Sequence, residues 1–298
     1  MTAACRTPNS RFVTDLKTLV AEELAVPVDA RVSAMAKAIA DKHGKASRAV
    51  LFYGSCLREK KLDGLMLDFY LIVSDYRAAY DKRWLAVANR LIPPNVFHFE
   101  HDGLVAKYAV LSEADFHRLI GPETSSVSVW ARFAQPSRLV WAANEAARDR
   151  AIAAVSRAAP TLLAAAGEQS GESGLDRWRR AFALTYSSEL RAERSGRASS
   201  VVDLDPRRFE RFTAPASEAA KGLKPKGGWA WRRIEGKGLS VVRLAKASLT
   251  FAGGADYIIW KINRHAGTNI ELKPWQQRHP LLAGISLLPR LLKSGAVR

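Results

Sequence analysis

Two apolar runs flanking a glycine-serine turn constrain this chain more than any other feature. Arg48 to Tyr53 and Leu65 to Val73 are short, rich in Leu, Val, Ile, Phe and Tyr, and bounded by loops carrying glycine or charge. Runs of that length and composition read as buried strands. Between them stands Gly54-Ser55-Cys56-Leu57-Arg58, and the second run holds a carboxylate in Met66-Leu67-Asp68-Phe69-Tyr70. A charge inside a buried strand is costly unless it is paired or metal-bound. Glycine lets a phosphate chain approach the backbone, and serine with the amides of a helix it opens can hold phosphate oxygens. A carboxylate on the next strand can bring Mg²⁺ to the same phosphates. The plainer alternative is a hairpin with a tight turn and one aspartate on its solvent face.

The surrounding pattern predicts an α+β core of three to five strands. Residues 10–25 and 30–43 read as helices, the second stopping at Lys42-His43-Gly44. Ala78 to Leu91 reads as a helix, Val96 to Phe99 and Leu104 to Leu111 as strands, and Ser112 with Asp115 as the cap of a helix through Leu119. From Ala142 onward the pattern is helical, over 142–166, 176–195, 206–212 and 239–252. We therefore expect a catalytic-type mixed domain over 1–141, a helical domain over 142–220 and a basic, aromatic region over 221–298. Lys221 to Lys246, with its glycines, reads as a loop of little fixed structure.

Charge narrows the partners. The chain carries 46 Lys+Arg against 29 Asp+Glu, a formal net charge of +17, so an anionic partner is expected: nucleic acid, a phosphorylated metabolite or an acidic lipid surface. Residues 1–150 hold 21 basic and 17 acidic side chains and the remainder 25 and 12, which places most of the positive field in the C-terminal half. Two cysteines exclude a disulfide framework, and with six histidines they do not make a multi-ligand zinc site. No run reaches the roughly 18 apolar residues of a spanning helix. Asp15, Glu22 and Glu23 interrupt any signal-like pattern before Val26, so a cytoplasmic location is expected.

The glycine-serine turn followed by an aspartate-bearing strand resembles the nucleotidyltransferase superfamily related to polymerase β, with Tyr70 where that superfamily has a second Asp. A closer resemblance covers about residues 48–215: the chain is similar to the mitochondrial-type phosphatidate cytidylyltransferases, the translocator assembly and maintenance family. It rests on Tyr53-Gly54-Ser55, on Met66-Leu67-Asp68, and on Asp75 followed by Trp84 and Asn89. It continues through Lys107-Tyr108-Ala109, Ala131-Arg132-Phe133-Ala134-Gln135-Pro136 and Thr185-Tyr186-Ser187-Ser188-Glu189-Leu190-Arg191. Ala109 stands where the family has glycine, Glu189 where it has aspartate, and Ala134 and Gln135 where it has His and Lys.

The resemblance implies a nucleotidyltransferase-like fold and a Mg²⁺-dependent transfer of CMP from CTP to phosphatidate, giving CDP-diacylglycerol and pyrophosphate. A phosphate monoester already carries about −1.5 to −2 charge at neutral pH, so the nucleophile needs no general base. On this reading Asp68 holds the metal and Lys107, Arg132 and Arg191 are catalytic cations. Tyr53, Gly54, Ser55, Lys107, Tyr186 and Glu189 bind the nucleotide. Asp75 is either a second metal ligand, if its loop folds back to Asp68, or a helix cap. Glu189 is a metal ligand, a partner for Arg191 or a solvated residue. Cys56 reads as a small core residue, and His43, His98, His101, His117 and His279 as surface or capping groups.

An enzyme acting on a two-chain lipid must reach the bilayer. Trp229, Trp231, Tyr257, Trp260 and Trp275 and the segment 281–293 suit docking at the inner face of a cytoplasmic membrane, with packing inside the helical region as the alternative, favoured for 249–262. Two competing classes remain: a nucleotidyltransferase acting on RNA or protein, although no nucleic-acid fold motif is present, and a basic membrane-associated scaffold without catalysis.

Overall fold

The computed structural model describes residues 15–58, 62, 64–189 and 201–250. It is a mixed α/β structure built on a five-stranded sheet flanked by helices, with a helical C-terminal part. The strands are β1 (Ser47–Tyr53), β2 (Met66–Val73), β3 (Asn95–His101), β4 (Leu104–Ser112) and β5 (Ser137–Ala142), in the order β3-β4-β2-β1-β5. β2 and β4 are parallel and the other neighbours antiparallel. The two central strands are apolar nearly throughout because both sheet faces are covered.

One face carries Ala49, Leu51, Tyr70, Ile72, Ala109 and Leu111, and the other Val50, Phe52, Phe69, Leu71, Tyr108 and Val110. The second face is covered by α2 (Ala30–Lys42), which Asp29 caps through Arg31 N, and by α3 (Tyr76–Ala79) and α4 (Arg83–Leu91). A single helix over 78–91 is thus replaced by two, with Tyr80 extended at φ −131° between them. β3 and β4 turn at Asp102-Gly103, both at positive φ, the conformation of a tight hairpin. Ser112 caps α5 (Glu113–Leu119) through Asp115 N, as its sequence predicts.

The first face is covered by α1 (Leu16–Leu24), α6 (Trp130–Phe133), α7 (Glu145–Val155), α8 (Ala158–Ala166), α9 (Gly174–Ser187) and α10 (Pro206–Ala220). The expected helix over 142–166 is two helices, and the residues before it supply β5 instead. Residues 142–220 do not enclose a separate core: Trp178, Phe182, Phe209 and Phe212 belong to one continuous apolar cluster with Leu51, Tyr70 and Leu139 of the sheet. The buried Arg208 of α10 pairs with Glu23 of α1 and donates to the Ala134 carbonyl at 2.9 Å.

The largest departure is α11 (Trp229–Thr250). The glycine-rich stretch expected to be a loop is helical from Trp229, ten residues before the predicted start. Gly236 explains why glycine is tolerated there: a Cβ at that position would collide with the Ser188 carbonyl oxygen, so α11 packs backbone to backbone against the end of α9. Among the described residues no helix is long and apolar enough to cross a membrane.

Candidate active site

Strand register assembles the candidate site. Asp68 lies opposite Tyr53 of β1 and Lys107 of β4, Tyr53 lies opposite Ser137 of β5, and Lys107 lies opposite His98 of β3. Directly opposed residues share a sheet face, so one transverse row runs His98, Lys107, Asp68, Tyr53, Ser137 across all five strands. Tyr70, two residues on, falls on the same face and is buried.

At the end of β1 the chain turns at Gly54, whose φ of +94° is unfavourable for any side chain. A Cβ there would sit 3.0 Å from Asp68 Oδ2, so this glycine also makes room for the carboxylate. Ser55 is exposed and begins a 3₁₀ turn of four residues, Ser55–Arg58, rather than the expected α-helix. Phosphate binding by a helix dipole is therefore not available at this turn, which leaves backbone and hydroxyl groups. Cys56 is buried, with Sγ 3.4 Å from the Met66 carbonyl, as a core residue.

Asp68 Oδ1 is buried and lies 2.9 Å from Lys107 Nζ, an ion pair without good hydrogen-bond geometry. The guanidinium of Arg132, on α6, stands over the Tyr53 ring at 5.4 Å. Burial pulls its pKa down, but Tyr53, Tyr70, Glu189 and Asp68 outweigh that and hold it above the ordinary value. Burial raises the Tyr70 phenol, with Arg132 and Arg243 opposing. Glu189, half-buried just beyond α9, thus acts electrostatically on the same groups. Tyr186 is half-buried against the apolar core one turn earlier. Arg191 lies outside the described residues.

Asp75 is not brought to this site. It is exposed and accepts hydrogen bonds from Arg77 N at 2.8 Å and Ala78 N at 3.0 Å, capping α3. It follows the far end of β2, seven residues beyond Asp68, or about 23 Å at roughly 3.3 Å per strand residue. The helix-cap alternative is the one realised. Gln135 donates to the Ala131 carbonyl at 3.0 Å, and Ala134 is buried.

Two residues join the site without having been singled out for it. His98, read as a surface group, stands next to Lys107 in the row and 3.5 Å from Glu100. Arg243 reaches in from α11, donating to the Pro93 carbonyl at 3.0 Å and to Ser128 Oγ at 2.9 Å. Burial lowers its pKa, while Tyr70 and Glu189 raise it and Arg132 lowers it further, which places it in the same electrostatic cluster. Its basic surroundings were evident in sequence; its destination depends on the Gly236 contact, which no local pattern reveals.

One turn along α11, Lys246 donates to the Ile92 carbonyl, and burial together with Arg243 pushes its pKa down to about 7 from 10.5. Between those values the unfolded chain binds the extra proton, so stability rises with pH through that window and the cost of charging Lys246 is full below about pH 7. Lys246→Met should flatten this rise: denaturant unfolding should show the variant gaining on wild type at neutral pH and losing that advantage towards pH 10.5. An advantage independent of pH would contradict it.

Among the described residues no group of three or more His, Cys, Asp or Glu is placed to hold a metal by itself. Asp68 is one partly exposed carboxylate, and Mg²⁺ is commonly held by one or two carboxylates plus substrate phosphates. The residues therefore suit a metal that arrives with a nucleotide. No protein-family model matches the chain, and the search of curated proteins gives no match.

Proposed function

We propose that the chain is a Mg²⁺-dependent nucleotidyltransferase that transfers CMP from CTP to phosphatidate at the face of a membrane, forming CDP-diacylglycerol and pyrophosphate. The observation that carries this reading is the ion pair of Lys107 with Asp68 and the charge of Arg132 acting on the same carboxylate, beside a positive-φ glycine turn that leaves space for it; Arg243 joins this cluster through Tyr70 and Glu189. A lone aspartate on a solvent face would call for neither the cations nor the space. CTP and the base preference come from the family resemblance.

Asp68 and the nucleotide phosphates would hold Mg²⁺, which when bound neutralises phosphate charge. The acceptor phosphate oxygen attacks the α-phosphorus of CTP in line, forming a new P–O bond, and the α–β bond breaks with its electron pair leaving on pyrophosphate. No proton has to be abstracted. The problem is repulsion between two anions, and Lys107, Arg132 and Arg243 reduce it by charge-assisted contacts. The half-buried setting strengthens those contacts relative to water. Glu189 lies among the cations and favours the charged form of Arg132.

Calorimetric titration of CTP in Mg²⁺ tests nucleotide recognition. Wild type should bind saturably, and Lys107→Gln should weaken binding by about tenfold to a hundredfold, the size of a lost charged hydrogen bond. An unchanged affinity in the variant, or no saturable binding by wild type, would overturn the role given to this pair.

A further inference from the structure

α4 packs Leu85 and Ala86 against the core but turns its other large hydrophobic residues to solvent. Ala86 and Asn89 face the protein and are buried, whereas Trp84, Val87 and Leu91 are 46%, 57% and 74% exposed. Their spacing of three and then four residues places them in one stripe along the outer face. Seven residues at about 1.5 Å each make that stripe roughly 10 Å long. Arg83 and Arg90, seven residues apart and both exposed, line one edge of it, and Lys82 precedes it.

Arg90 stands in the last turn, where the helix dipole favours a cation, but the two basic residues at the other end do not serve the helix. Lys82 and Arg83 occupy its N-terminal end, where the helix dipole disfavours cations, no acidic residue is present in the first turn, and Lys82 makes no side-chain cap. A tryptophan, two aliphatic side chains and a row of cations on one exposed helix face make an arrangement that binds in the interface of an anionic bilayer.

We propose that the outer face of α4 is a membrane-docking surface for anionic lipid, with Trp84, Val87 and Leu91 entering the headgroup boundary and Lys82, Arg83 and Arg90 contacting lipid phosphates. The choice of a lipid partner rests on the phosphatidate acceptor proposed above together with the charge of this face. The segment 281–293 lies outside the described residues.

The test is sedimentation of the full chain with vesicles, in the absence of nucleotide, so that docking is read apart from catalysis. Vesicles of phosphatidylcholine mixed with phosphatidylglycerol should carry wild type down and those of phosphatidylcholine alone should not. The double variant V87E/L91E, altered only at exposed positions, should lose at least about tenfold in binding, and R83A/R90A should lose it most at low salt. Circular dichroism and melting of the variants should match wild type. Asp68→Asn should bind vesicles as wild type does, which separates failure of docking from failure of the enzyme reading. Undiminished vesicle binding by V87E/L91E overturns the proposal. So does absence of wild-type binding, or a change only in self-association, which would assign the face to a second copy of the chain.

Discussion

Asp68→Asn should lower pyrophosphate release from CTP by about a hundredfold to a thousandfold while leaving the protein folded, the scale reached when one preorganised charge-stabilising group is removed from a reaction centre. Asparagine has the same shape, so the space beneath Gly54 remains filled and the sheet is not disturbed. What disappears is the negative charge that balances Lys107 at 2.9 Å and would hold Mg²⁺ against the phosphates. Loss of the pair should cost about 1–3 kcal/mol of stability, within the margin of an ordinary domain. Activity and denaturant unfolding must be measured on the same preparation. A folded variant retaining a tenth of wild-type activity would remove Asp68 from the reaction.

The second large effect is expected far from the phosphates. Gly236→Ala places a Cβ where the Ser188 carbonyl already stands, and both partners are backbone, so α11 must shift rather than a side chain rotate. That shift moves Arg243, seven residues on, away from Tyr70, Arg132 and Glu189. Overpacking of this kind should cost about 1–3 kcal/mol, and misplacement of about 1 Å in a catalytic group can cost roughly a hundredfold in rate. Gly238→Ala is the control on the same helix: nothing lies within 4 Å of its Cβ, so it should stabilise by up to about 1 kcal/mol and leave activity intact. Equal behaviour of the two variants would show that the close approach at Gly236 does not position the site.

The strands were legible because their information is local. Bulky apolar residues over Arg48–Tyr53 and Leu65–Val73 suit a sheet covered on both faces, and turn residues mark their ends. The resemblance named Asp68 and Lys107 as separate site residues, and it is the register of β2 against β4 that pairs them. Asp75 illustrates what spacing alone conceals: an aspartate at the opposite end of a strand is near in sequence and far in space. His98 was unremarkable as a single histidine because its significance depends on pairing with β4. α11 was the least legible element, since its glycines argue against a helix until the contact with Ser188 is seen. Residues 142–166 were read as one helix because alanine fits helices generally and carries little information about where one stops.

The most direct test of the central claim is pyrophosphate release by wild-type protein in Mg²⁺ with phosphatidate-containing vesicles, comparing CTP with ATP, GTP and UTP. CTP-specific release that requires the lipid is the predicted result. Release that ignores the lipid would assign another acceptor, and no release from any nucleotide would contradict the enzyme reading altogether.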